Sequence, residues 1–385
     1  MTAPASLARR SLGPTRSTVP TPARHVDWIL VAAVVALSLV GVLMVFSATK
    51  GPGGETPTTT FFLQRQLMFA VLGWGVMAAV ACVDYRHYRD WAIPMAIAAL
   101  TLLVLVISPL GSESNGAQAW FELAGFQLQP SEFAKIVFIL GMAAFLTYDR
   151  AGGLDGRRLL IAFGIAAVPM GLIMLQPDLG TVLVFVFAAL GMITVAGVRP
   201  RHLAMVALVA IVGTVLILNS PILKAYQVDR LTSFVSPDSD TQGAAYNTKQ
   251  AVVAISGGGL TGQGLFNGQQ TRLNYVPEQH TDFIFTVVGE ELGFAGGALV
   301  LGLLGVIVWR IWRTAQLSRD EYGMLVCVGV LSMVVFQVFE NVGMTMGIMP
   351  VTGIPLPFVS YGGSAILTQS AALGLVLSVH MRRFV

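Results

Sequence analysis

The residues best equipped for chemistry sit in four places. Pro277-Glu278-Gln279-His280-Thr281-Asp282-Phe283-Ile284-Phe285 crowds three titratable groups, Glu278, His280 and Asp282, into five residues directly before a long apolar run. A carboxylate half-withdrawn from water there has its pKa raised toward the range of a general base. The same position also suits a helix N-cap, and Asp282 supports both readings. Gln129-Pro130-Ser131-Glu132-Phe133-Ala134-Lys135 opens another apolar run with Pro at a first helical position. Glu132 and Lys135, three apart, share a helix face. They are either a structural ion pair or a charged cavity wall that offers Lys135 to a phosphate. Asp178, in Gln176-Pro177-Asp178-Leu179-Gly180, reads as a turn and cap residue. Glu340-Asn341 lies inside an apolar run and precedes a Pro/Gly-rich stretch that ends in Ser360-Tyr361-Gly362-Gly363-Ser364.

The elements that must hold these groups follow from composition. Of 385 residues 55% are hydrophobic and 11% charged, against about 25% charged in soluble domains. Apolar runs near the 20 residues that cross a bilayer recur along the chain. We read ten transmembrane helices near 28–47, 66–83, 91–109, 131–148, 158–175, 180–197, 202–219, 284–308, 323–346 and 362–380. Sixteen of the 23 Lys and Arg residues, from Arg9 to Arg383, then fall on one side. By the positive-inside rule that side is cytoplasmic, with both termini on it. The fold class expected is thus an all-α polytopic membrane protein. Residues 1–26 form a disordered cytoplasmic tail, and 27–385 the transmembrane domain.

Residues 220–283 break the pattern as a large extracytoplasmic loop between the seventh and eighth helices. Loops of such length in compact bundles are functional or disordered. The apolar stretch Ala251–Ile255 and the aromatics Tyr246, Phe266 and Tyr275 favour short amphipathic helices along the interface. Pro and Gly repeated between 343 and 363 imply broken backbone, tolerated at membrane depth only when buried in protein or lining a wet cavity. Cys82 and Cys327 read as packing residues. No zinc-type spacing, P-loop or serine elbow is present.

These segments carry a resemblance. The stretch Pro277–Phe285, together with Gly289-Glu290-Glu291-Leu292-Gly293 and the run Met349–Ser364, is similar to the signatures of the SEDS proteins of shape, elongation, division and sporulation. Asn341–Met344 and Thr352–Phe358 resemble the RodA branch more than the FtsW branch. The resemblance implies a peptidoglycan glycosyltransferase in the cell inner membrane. It would polymerise lipid II on the extracytoplasmic face during elongation and work with a class B penicillin-binding protein. It places Asp282 as the essential loop carboxylate, Glu132 and Lys135 as the charged pair, and Arg230 as a substrate-binding loop arginine. Gln129, Trp120, His280, Ser360 and Tyr361 are further candidates for substrate contacts. Where relatives carry a basic residue before this tryptophan, the chain has Ala119. A divalent cation, Mg2+ or Mn2+, is a candidate aid to pyrophosphate departure, with no protein metal site expected. The rivals are a lipid II flippase and a non-catalytic scaffold for the crosslinking partner.

Overall fold

The computed structural model describes residues 25–51, 57–114, 117–123, 126–148, 155–198, 201 and 244–384. The expected helix at 202–219, the first part of the long loop with Arg230, and the tail before His25 lie outside them. The helices are α1 (Trp28–Thr49), α2 (Pro57–Cys82), α3 (Tyr85–Asp90), α4 (Ala92–Ile107), α5 (Pro130–Thr147), α6 (Gly156–Leu175) and α7 (Leu179–Val195). They continue with α8 (Ala244–Gly258), α9 (Gln269–Arg272), α10 (Ile284–Gln316), α11 (Glu321–Thr345) and α12 (Gly363–Met381). Seven of them (α1, α2, α5, α6, α10, α11, α12) have the length and apolar composition of membrane spans, and α4 and α7 are shorter apolar helices. Each falls on an expected span. The main shift is α2, which starts at Pro57, nine residues before the expected 66, because Pro57 suits a first helical turn.

Two features were absent from the sequence reading. A three-stranded antiparallel sheet, β1 (Ser112–Ser114), β2 (Ala117–Leu123) and β3 (Phe126–Leu128), in that order, fills the connection between α4 and α5. Its register sets Ser112 opposite Trp120 and Phe121 opposite Leu128. The second is the six-residue α3, capped by Asp84.

Helix ends explain the chain's punctuation. Asp27 accepts from Leu30 N at the start of α1 (3.2 Å) and pairs with Arg310 near the end of α10 (2.7 Å), so the two helices run antiparallel. Asp320 caps α11 through Gly323 N (2.7 Å) and receives the Tyr85 hydroxyl (2.5 Å). Arg382 donates to Ala81 and Cys82 carbonyls at the end of α2. These contacts gather Arg310, Arg382, Asp27 and Asp320 at one end of the bundle. The candidate chemistry lies at the other.

That other end is closed by an irregular segment, 346–362, which is exposed at 346–348 and largely buried from 354 to 360 although it is not helical. Ile354, Leu356, Phe358, Val359 and Ser360 are all nearly inaccessible. With no bilayer water available, its polar backbone must find partners within the protein. Asn341 Nδ2 donates to Ile354 O (2.8 Å), and Leu356 N to Ser360 Oγ (2.8 Å). Gln66 Nε2 donates to Ser360 O (3.2 Å), and Tyr361 N to His280 O (2.9 Å). Around the bundle Ile93, Ile97, Leu160 and Leu299 are exposed, as lipid-facing side chains should be.

Gly41 of α1 touches this segment so closely that a Cβ there would lie 2.4 Å from Phe358 O. Gly302 of α10 has no neighbour within 4 Å of such a position. Gly41→Ala should cost about 1–3 kcal/mol through overpacking, whereas Gly302→Ala should cost nothing measurable. Thermal unfolding of detergent-purified variants checks this, and equal shifts in the two would contradict the packing.

Candidate functional site

The 346–362 segment is the hub on which the site is built. Asp282 reaches it from one side, ahead of α10. The N-cap position of α10 belongs to Phe283, one residue later than the spacing suggested. The N–H groups of Asp282 and Phe283 both reach back to Glu278 O (3.1 and 3.3 Å), closing a tight turn. The half-buried Asp282 carboxylate lies against Gly353, where a Cβ would stand 3.2 Å from Oδ2. Gly353 has φ +79°, a conformation that glycine adopts without strain. Asn341 Nδ2 donates to Asp282 O as well as to Ile354 O, each at 2.8 Å. One buried amide thus locks the start of α10 to the hub.

His280 and Tyr361 meet beside this point. Their rings stand 5.8 Å apart, and Phe62 of α2 completes a trio at 4.8 Å from His280 and 5.0 Å from Tyr361. Burial holds the His280 imidazole below its ordinary pKa, against a smaller upward pull from Glu278. Ser360 is committed to the hub's own backbone by the bonds described above.

Gln129 approaches from the far side. Its N–H donates to Ser364 Oγ (3.1 Å), and its side chain donates to Asp178 Oδ2 (3.2 Å). Asp178 caps α7 through Thr181 N (2.9 Å), as its sequence context suggested. One turn on, Lys135 Nζ donates to Glu132 Oε1 (2.6 Å), with both side chains almost fully buried. Burial of this degree argues that each charge depends on the other, since an unpaired charge would be costly to hold there. Ser131 Oγ and Glu132 Oε2 are buried beside them with no protein partner. The pair is enclosed within the bundle, not displayed on an open wall. Trp120 is partly exposed on β2, where its carbonyl accepts from Ser112 Oγ (3.1 Å).

The structure thus brings Asp282, His280, Ser360, Tyr361 and Gln129 around one hub, with Glu132 and Lys135 a turn below Gln129. Trp120 sits on the sheet that leads into α5. Gln66 and Gln279 are missing from the sequence reading of the site, and Asn341 entered it with no role assigned. Asn341 did carry a signal, as a buried amide next to Glu340 inside an apolar run. Gln66 and Gln279 carried none, because their bonds depend on distant backbone. Among the described residues no three His, Cys, Asp or Glu side chains converge as a protein-held metal would require.

Comparison with known proteins gives the chain a family. The FtsW/RodA/SpoVE family of cell cycle proteins matches residues 27–384. Stage V sporulation protein E of Bacillus subtilis is 40% identical over 357 residues, covering 92% of this chain and 96% of that protein. The peptidoglycan glycosyltransferase MrdB of Escherichia coli K12 is 35% identical over 360 residues, covering 93% and 94%. The probable peptidoglycan glycosyltransferase FtsW of Trichlorobacter lovleyi is 36% identical, covering 92% of each. The rod shape determining protein RodA of Thermus thermophilus superposes with TM-score 0.68 and 32% identity, covering 94% of this chain and 98% of its own. A chain from a peptidoglycan synthase complex, described as coordinating polymerization and crosslinking, reaches TM-score 0.79 at 33% identity, covering 93% and 98%. With a family match across nearly its whole length and a bundle to fit, this chain belongs to the FtsW/RodA/SpoVE family of multi-pass membrane proteins.

Proposed function

We propose that this chain is a peptidoglycan glycosyltransferase that polymerises lipid II, with Asp282 as general base. The observation that carries the reading is Asp282, whose half-buried carboxylate lies against Gly353 while Asn341 holds its backbone carbonyl, at the end of the bundle away from Arg310 and Arg382. Relatives that share this chain's full length bear that activity in their names. The arginine-rich end faces the cytoplasm in this reading, which puts the site on the extracytoplasmic face of the inner membrane.

The chemistry follows. The 4-hydroxyl of an acceptor GlcNAc attacks the anomeric carbon of a donor MurNAc, and its proton passes to Asp282. The bond from that carbon to pyrophosphate breaks, which inverts an α-linked donor into a β-linked product. A positioned base is typically worth ~10²–10⁴-fold. Arg230, beyond the described residues, contacts the departing pyrophosphate, and Lys135, enclosed with Glu132, stabilises it through its charge from within the bundle. Gln129, Trp120, His280 and Tyr361 surround the sugars, and the buried Ser360 holds the backbone behind Tyr361. A divalent cation would arrive with the substrate's phosphates, as Mg2+ commonly does, and no step is assigned to it. The likeness to a synthase complex supports a crosslinking partner, a class B penicillin-binding protein. The Asn341–Met344 and Thr352–Phe358 stretches alone favour an elongation role, since the full-length identities to FtsW and MrdB relatives are level at 36% and 35%.

The interior weighs against a flippase. Buried side chains are wholly apolar from Ile136 to Leu146 on α5 and from Ala372 to Leu377 on α12. Among the described residues the buried polar run on both helices is thus interrupted by an apolar stretch, beyond which only Ser378 and His380 of α12 are buried and polar. A translocation path for a pyrophosphate would need the run to continue.

Purified, partner-bound protein given lipid II should form glycan strands on gels. Asp282→Asn should reduce this by at least ~10²-fold, and Lys135→Ala should also cripple turnover. Undiminished strands from Asp282→Asn would sink the assignment. Translocation of labelled lipid II in vesicles without polymer would favour the flippase.

His280 supplies a pH test. Its folded pKa lies below the ordinary 6.5, so on acidification the unfolded chain takes up the proton first. The stability contributed by the neutral ring is complete above that value and declines as pH falls below it. Melting curves at pH 7.5 and 5.5 should show a smaller acid loss for His280→Gln than for wild type. An identical loss would remove His280 from the explanation.

A further inference from the structure

Two acidic residues that the mechanism does not use, Glu290 and Glu291, lie fully buried within α10. A carboxylate in a membrane span needs a reason. Here the reason begins with a break in the helix. Gly293 has φ 64° and ψ −160° inside α10, so Ile284–Leu292 form a short helix offset from the remainder. The break releases two carbonyls and two N–H groups, and the glycine-rich loop after α8 takes all four. Gln263 N donates to Glu290 O and Gly264 N to Glu291 O, both at 3.0 Å. Phe294 N donates to Gly259 O (2.9 Å), and Ala295 N to Leu260 O (3.1 Å).

The side chains extend the same contact. Glu290 Oε1 accepts from Gln270 N (2.7 Å), and Oε2 accepts from Thr271 N (3.0 Å) and Thr271 Oγ1 (2.7 Å). Glu291 accepts from Ser47 Oγ at the end of α1 through both oxygens (2.6 and 2.7 Å). Gln279 closes the circuit. Its Nε2 lies within hydrogen-bond reach of Thr271 O (2.9 Å), Ala48 O (2.8 Å) and Asn274 Oδ1 (2.9 Å). Gln279 is three residues ahead of Asp282 and, like Thr271 and Ser47, is almost fully buried.

We propose that Glu290, acting through Thr271 and Gln279, is a positioning residue that holds the Asp282 segment in register with the outer end of α1, and that Glu291 anchors the same unit to Ser47. This rests on the polymerase reading above. The short helix that follows Asp282 is tied at its far end by Glu290 and Glu291, and the chain leading into Asp282 is tied by Gln279. Both ties converge on Thr271 and α1. Glu290 cannot be exchanged for an amide at no cost, because all three of its contacts are donors and an NH2 group would face one of them. Gly268 allows the approach, since a Cβ there would lie 2.8 Å from Glu290 Oε2.

The test uses full-length, partner-bound protein with lipid II. Glu290→Gln should lower kcat by about 10- to 100-fold, as small misplacements of reacting groups do, while KM stays within about twofold. Gln279→Leu should give a milder loss of the same kind, and the double variant should fall no further than the worse single, as residues on one route behave. Hydrogen exchange should rise across residues 263–282 in each variant and stay unchanged in α5 and α11. Additive losses in kcat, or unchanged exchange across 263–282, would overturn the proposal. If wild type itself makes no strands, the polymerase reading fails, and the exchange data still judge the clamp. Should Glu290→Gln not fold, Gln279→Leu and Thr271→Val carry the same measurements.

Discussion

A chain that leaves its helix within a bilayer finds no water for the amides and carbonyls it releases. Each one must meet a partner inside the protein, at several kcal/mol per failure. Among the described residues this fold makes two such departures, at Gly293 in α10 and along 346–362, and most of the site geometry follows from how they are satisfied. At the first, the loop after α8 supplies the four missing partners. At the second, Asn341, Gln66, Ser360 and His280 supply them one by one. The residues that repair the backbone are neighbours of the residues proposed to do chemistry. That proximity is physical: irregular backbone is the way to bring carbonyls, amides and a carboxylate together at one depth, where regular helices would hide them.

Asn341 shows how closely repair and function are joined. Its single amide donates to the backbone on either side of the gap between α10 and the hub. Shape and polarity both matter there, because an apolar replacement would leave two buried carbonyls unpaired. The pair Glu132–Lys135 poses a different problem. It is buried and matched, so its net contribution to stability is small even though removing one member would be costly. A buried ion pair kept one turn below Gln129 fits a site that needs a fixed cation better than it fits a device for stability.

Much of this was legible in the sequence. Composition and the placement of arginines set out the spans, and i,i+3 spacing joined Glu132 to Lys135. Asp178 caps as its Pro-Asp-Leu-Gly context implied. What could not be read depended on partners far away in the chain. The cap position of α10 moved from Asp282 to Phe283 because Glu278 O gathers the preceding N–H groups into a turn. Of the strands between α4 and α5, β1 and β3 are too short to show an alternating pattern, with three residues each, and the seven of β2, Ala-Gln-Ala-Trp-Phe-Glu-Leu, break their alternation at Trp120-Phe121. Glu290 and Glu291 entered only as part of the stretch that carries the resemblance, with no role of their own, since their partners at Thr271 and Ser47 lie 19 and 244 residues away.

The remaining step concerns sidedness. Arginines and their acidic partners tie the bundle together at one end, through Asp27–Arg310, Arg86–Asp320 and Arg382–Asp84. The other end is held by amides, hydroxyls and carboxylates that work on broken backbone. Between them, α5 and α12 turn apolar toward the core. A protein that moved a charged headgroup across the membrane would need its polar groups to alternate in access from the two sides. This one interrupts them with wholly apolar buried stretches on α5 and α12. The arrangement suits a reaction whose substrate keeps its lipid in the bilayer and presents sugars and phosphates at one face. There a fixed carboxylate gains more from being held still than from being able to move.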